Sequence, residues 1–114
     1  MEKVILNFGK RKISLDARTV RGFERAIELM FSRKEKAKIL LFKFSHPVQL
    51  AIHSMFVFFP FIAIWFDADG KVMEIKRVEP FSPHVSPQKP FLSLVEIPIN
   101  EKNEKIIDDI EKFK

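Results

Sequence analysis

Near the start of the chain Val4, Leu6 and Phe8 alternate with Ile5 and Asn7, and Ile13 and Leu15 resume the alternation after Gly9-Lys10. A period of two around a Gly-X pair predicts a β-hairpin with a tight turn. From Thr19 the period changes. Val20, Phe23, Ala26, Ile27, Met30 and Phe31 recur at helical spacing, with Arg21, Glu24, Arg25 and Glu28 on the other side. Thr19 reads as the N-cap of an amphipathic helix over about three turns that packs on the core, ending in the charged stretch Ser32–Lys38. Ile39–Phe44 reads as a strand interrupted by Ser45-His46-Pro47, because proline donates nothing to a ladder. Val48, Leu50 and Ile52 then alternate with Gln49, Ala51 and His53, and a strand resumes. Phe61–Asp67 and Val72–Val78 flank Ala68-Asp69-Gly70-Lys71, and Asp-Gly between apolar runs is a strong hairpin signal. Pro80, Pro83, Pro87 and Pro90 make Glu79–Pro90 a stiff connecting loop. Phe91–Ile97 is a last strand, and Asn100 caps a final helix with Ile106, Ile107, Ile110 and Phe113 on its apolar face.

These elements predict a strand-dominated α+β fold: a compact antiparallel β-sandwich or jelly-roll-like barrel with one packed amphipathic helix and a C-terminal helix. With 114 residues and no linker-like tract, residues 1–114 read as a single domain. Hydrophobic residues make up 46% and charged residues 31%, a globular balance. The chain has no cysteine, which excludes disulfides, thiolate metal sites and thiol nucleophiles. The first residues lack the apolar core of a signal peptide, so a cytoplasmic location is expected. The longest apolar run, Met55–Phe66, contains Pro60 and is shorter than the roughly 18 residues a membrane-spanning helix needs. No membrane span is expected. The net charge of +5 comes from lysines and arginines scattered among acidic residues, the pattern of a solvated surface and of heat-adapted proteins. Nucleic acid is not expected as a partner, and any such binding would be weak and non-specific.

Candidate chemistry is sparse. Gly9, Gly22 and Gly70 lie too far apart to form a phosphate-binding loop. His46, His53 and His84 have no metal-ligand spacing, and no metal or other cofactor is expected. Ser54 follows His53 directly, and neighbours on a strand point to opposite faces, so the two are poorly placed to form a catalytic pair. Asp67 and Asp69 flank the hairpin turn and read as turn-formers before they read as a carboxylate pair. The unusual feature is the aromatic density: 13 phenylalanines, one tryptophan and no tyrosine. Phe56, Phe58 and Phe59 lie almost side by side, on a strand that is covered on both faces or partly open in a groove.

The stretch Ile52-His53-Ser54-Met55-Phe56-Val57-Phe58-Phe59-Pro60-Phe61-Ile62-Ala63-Ile64-Trp65-Phe66-Asp67 resembles the signature of the domain-of-unknown-function 192 family, also called UPF0127. Members read Ile-His-Thr-Phe-x-Met-x-Phe-Pro-Ile-Asp-Val-Val-Phe-Leu-Asp there, followed by a glycine turn. Ile52, His53, Phe59, Pro60, Asp67 and Gly70 match. Arg25-Ala26-Ile27-Glu28-Leu29-Met30 is similar to the family's Arg-Ala-x-Gly-Leu-Met helix, and Leu40-Leu41-Phe42-Lys43-Phe44 to its Leu-Leu-Phe-x-Phe strand. Order and spacing agree from about Thr19 to Ile97. The resemblance implies a small β-rich, jelly-roll-like fold and no activity. The family's Pro-x-Asp carboxylate falls on Ile62, so a polar site using it would be absent here.

The leading expectation is a non-catalytic ligand-binding or interaction module, with no catalytic residues, that takes an unknown small molecule or protein in an aromatic-rich strand groove. Its candidate ligand-binding residues are His53, Phe56, Phe58, Trp65 and Asp67. The alternative is a small-molecule enzyme with His53 as acid or base and Asp67 as its orienter, since an imidazole titrates near neutrality. His53 also reads as a structural strand histidine, buried and hydrogen-bonded.

Overall fold

A computed structural model describes residues 2–8, 11–20, 39–49, 60–79 and 85–112. The described strands are β1 (Glu2–Phe8), β2 (Arg11–Val20), β3 (Leu40–Val48), β4 (Phe61–Phe66), β5 (Val72–Val78) and β6 (Phe91–Pro98). A 3-10 turn (Glu101–Asn103) leads into helix α1 (Glu104–Glu111). The strands form one six-stranded sheet in the order β1-β2-β3-β6-β4-β5. Its outermost strands, β1 and β5, touch, so the sheet curls into a half-barrel. β2 and β3 run parallel, and the other neighbours are antiparallel.

Alternation sets the inner face of the curl. Val4 lies opposite Leu15 and Leu6 opposite Ile13, and these side chains turn inward while Lys3, Ile5, Lys12, Ser14 and Asp16 face solvent. Leu41, Ile62, Ile64, Phe66, Val95 and Ile97 extend the same apolar layer. Helix α1 closes it by inserting Ile107 and Ile110. The entry of this helix is fixed by side chains: Asn100 Oδ1 accepts from the Asn103 amide at 3.0 Å, and buried Asn103 Nδ2 donates to the Pro98 carbonyl at 2.9 Å. At one end of the curl Glu2 spans β2 to reach Lys43 on β3, accepting also from Thr19. The hydrogen bond from Lys43 holds the Glu2 carboxyl below its ordinary range.

β3, β6, β4 and β5 also carry a second apolar layer on the opposite face, made by Phe42, Phe61, Ala63, Trp65, Val78, Phe91 and Leu94. Phe44 meets Phe91 edge to face, with ring centroids 5.6 Å apart. The hairpin between β4 and β5 is organised by Asp67, whose Oδ1 accepts from the Asp69 and Lys71 amides at 2.9 Å each. Gly70 sits there at φ 78°, a left-handed conformation that glycine adopts without strain.

The structure revises several expectations. β1 and β2 pair from Glu2–Ala17 to Phe8–Arg11, which is the first expected hairpin. Thr19, expected as a helix N-cap, is instead a strand residue paired with Leu41. A β-branched residue suits a strand, and the neighbouring β3 supplies the ladder that local periodicity cannot foresee. The remainder of the expected first helix falls on residues 21–38, outside the described residues. Ser45-His46-Pro47 does not end β3, which runs on to Val48. The proline is tolerated because ladder register shifts between Lys43, opposite Ser93, and Val48, opposite Phe91. The described strands form a single curled sheet, so two stacked antiparallel sheets are not seen, and the β2–β3 pair is parallel. No described helix is long and apolar enough to cross a membrane.

Ile110 has no solvent exposure and Ile106 is only half-buried. Ile110→Ala is expected to lower the unfolding free energy by about 2–5 kcal/mol, the usual range for emptying a packed core position. Ile106→Ala should cost clearly less. Urea unfolding of both variants checks this, and equal losses would mean that α1 does not plug the curl through Ile110.

Candidate functional site

The second face is where polar chemistry enters the core. In β4 every residue is buried, and alternation sends Ile62, Ile64 and Phe66 inward and Phe61, Ala63 and Trp65 to the second face. Register then defines two rows across this face. One runs Phe42, Leu94, Trp65, Glu74, and the other Leu40, Glu96, Ala63, Lys76. Ala63 is the small residue between Phe61 and Trp65 along its strand and between Glu96 and Lys76 across it. Two groups able to carry charge therefore flank the shortest side chain of the face.

Trp65, the only tryptophan, is fully buried, and its Nε1 has no hydrogen-bond partner among the described residues. A buried unpaired donor costs roughly 1–3 kcal/mol. The Lys76 ammonium lies 5.8 Å from the centroid of the Trp65 ring and donates to the Ser86 carbonyl at 2.9 Å. An ammonium has three donors, so further capacity is left. Glu96 is half-buried, and burial pushes its carboxyl from the ordinary 4.5 up to about 7. Lys76 stands two strands away, about 10 Å from backbone to backbone, too far to hold Glu96 ionised. Segment 85–90 borders the face: Glu74 Oε2 accepts from the Gln88 amide at 3.2 Å, Gln49 Nε2 donates to the Pro87 carbonyl at 3.0 Å, and Val85 packs on the apolar layer.

Of the residues expected from sequence, Trp65 lies at the centre of this arrangement. Asp67 is half-buried and engaged in the hairpin turn. His53, Phe56 and Phe58 lie outside the described residues, as does His84. His46 is exposed, with its Nδ1 3.1 Å from Ser45 Oγ. Ile62, which takes the place of the family's aspartate, is fully buried in the inner layer, on the face opposite Trp65. Its replacement therefore leaves the second face untouched. Glu96 and Lys76 are the residues that sequence reasoning missed. The available signal was Glu96 itself, a lone carboxylate in the apolar strand Phe91–Pro98, in phase with Leu94.

The model of the DUF192 family, described as "Uncharacterized ACR", matches residues 7–109. The chain belongs to the DUF192 family. No curated protein matches it. Among solved structures it is similar to a proposed transcription regulator from Sinorhizobium meliloti 1021, with a TM-score of 0.73 and 13% identity over 91% of this chain and 83% of that one. It is also similar to a protein of unknown function from Novosphingobium aromaticivorans DSM 12444, with a TM-score of 0.73 and 16% identity over 91% of this chain and 76% of that one. At such identities the likeness shows a shared fold alone.

The raised Glu96 carboxyl links stability to pH. Between 4.5 and about 7 the folded DUF192 chain keeps a proton on Glu96 that the unfolded chain has released. Stability contributed by this group is therefore complete below pH 4.5, falls by up to about 1.4 kcal/mol per pH unit across that window, and levels off above it. Glu96→Gln, which cannot ionise, should match wild type near the bottom of the window and exceed it in stability above the top. Chemical denaturation across the pH range measures this, and an equal pH dependence in both proteins would contradict it.

Proposed function

We propose that this DUF192 protein is a non-catalytic module, one domain over residues 1–114, that binds a small molecule on the second face of its sheet around Trp65. The observation that supports this most directly is the buried Trp65 Nε1 without a partner among the described residues. Folded proteins pair nearly all buried donors, and an exception calls for an explanation. A bound acceptor would supply the missing bond. The surrounding Phe42, Phe61, Phe91 and Leu94 offer the apolar lining typical of ligand sites, while Glu96 and Lys76 add the few polar groups that orient a ligand. His53, Phe56 and Phe58 are proposed as further contacts. Asp67 would serve this site indirectly, by holding the hairpin that ends β4 two residues after Trp65.

The test is a fragment screen by ligand-observed NMR on wild type and Trp65→Phe. Phenylalanine keeps most of the buried area but removes the unpaired N–H, so the variant should lose much less stability than the about 3–5 kcal/mol typical of truncating a buried aromatic to alanine. Fragments found with wild type should no longer bind. Fragments that bind both proteins alike, or a screen without any bound fragment, would count against this function.

A further inference from the structure

Resting on that reading, we propose that residues 85–90 form a strap over the second face, which opens as a unit while the sheet stays folded and so admits the ligand to Trp65. Trp65 is fully buried, so nothing meets its Nε1 until part of the cover moves. β4 is not free to move, being paired to β5 on one side and to β6 on the other. The strap is held differently. Residues 86–90 belong to no strand or helix. Three consecutive residues are each tied by one side chain. The Ser86 carbonyl accepts from Lys76 Nζ at 2.9 Å, the Pro87 carbonyl accepts from Gln49 Nε2 at 3.0 Å, and the Gln88 amide donates to Glu74 Oε2 at 3.2 Å. A segment held by a few side-chain bonds opens at a smaller free energy than a strand held in ladders on both sides.

The same ties place the strap beside Trp65. Glu74 is the cross-strand partner of Trp65, and Lys76 follows two residues later on β5. The Lys76 ammonium stands 5.8 Å from the centroid of the indole ring while it holds Ser86. Val85 packs on the apolar layer to which Trp65 belongs, and Pro87 is buried. Gln88, Lys89 and Pro90 are exposed. Pro87 and Pro90 fix the backbone φ at two positions, which makes the segment move as a piece. Buried Phe91, at the start of β6, is its pivot. Lifting the strap breaks three hydrogen bonds that water replaces, and it breaks no ladder between strands.

Hydrogen exchange at the Trp65 indole N–H, a single resonance because the chain has one tryptophan, measures opening without any ligand. In wild type this proton should exchange faster, relative to its intrinsic rate, than the β4 backbone amides. Low urea concentrations that speed the β4 amides should barely change it, because opening the strap exposes little surface. Gln49→Ala/Glu74→Ala removes two ties and should speed indole exchange about tenfold or more. Gln49→Ala alone leaves the β5 neighbours of Trp65 in place and should act in the same direction. Ile106→Ala loosens α1, which stays packed when only the strap opens, so it should speed the β4 amides and leave indole exchange unchanged. Fragments that contact Trp65 should bind the double variant about tenfold or more tighter than wild type, because a larger share of its molecules is open. An indole proton that exchanges in step with the β4 amides, or at the wild-type rate in both tie variants, would overturn the strap. Fragments still bound at Trp65 in that case leave the binding face standing. Equal fragment affinities despite faster exchange would mean entry by another route and would also overturn it. Local indole exchange with no fragment bound to either protein upholds the strap and overturns the binding face.

Discussion

Six consecutive residues of β4 are buried, so this strand has no solvent face and the sheet around it must be covered on both sides. Everything else in the fold answers that constraint. On the inner side the sheet covers itself by curling until β1 meets β5, and α1 fills what the curl leaves open. The outer side cannot be covered by curvature. It needs bulky side chains of its own and residues from outside the strands, which is where Val85 enters the apolar layer and segment 85–90 is tied to Lys76 and Glu74. Position in the sheet order explains the difference, since β6 and β4 lie between other strands and have no edge exposed to water.

The two layers differ in chemistry for the same reason. The inner one is aliphatic apart from Phe66, and its polar demand is met locally, as where Asn103 satisfies the Pro98 carbonyl at the helix entry. The outer one is aromatic and holds Trp65, with its unpaired Nε1, beside a carboxyl that burial keeps near neutrality. Each of these costs stability, and apolar residues of similar size would avoid the cost. Local rules of packing and hydrogen bonding are most often broken at sites of function, which is the ground for the binding face proposed above.

Much of the framework was legible because its signals are local. Gly9-Lys10 lies between paired β1 and β2, Asp69-Gly70 turns between β4 and β5, and Asn100 caps the segment leading to α1. Each depends on a few neighbouring residues whose backbone preferences act at short range. Thr19 reads as a cap from its neighbours because threonine serves both as cap and as strand residue, and the deciding partner, Leu41, is far away in sequence. The interruption read at Ser45-His46-Pro47 falls where the ladder with β6 shifts register, between Lys43 and Val48, although the strand itself runs on. For the site, Trp65 was visible as the lone tryptophan of the most apolar stretch. Glu96 was not, because alternation gives the parity of a residue but cannot say that both parities of a strand are buried.

The smallest residue on the outer face completes this logic. A strand reading Phe-Ile-Ala-Ile-Trp-Phe is bulky everywhere except at Ala63, and Ala63 is nonetheless fully buried, so something larger than its own side chain covers it. Its cross-strand neighbours are Glu96 and Lys76, two long side chains whose aliphatic stems can cover a methyl group while their polar ends stay apart. A Phe or Trp at this position would add buried area and would suit the strand equally well. Alanine therefore costs the outer layer hydrophobic stabilisation. In return it leaves the space between two strands to the stems of Glu96 and Lys76, which register places on either side of it.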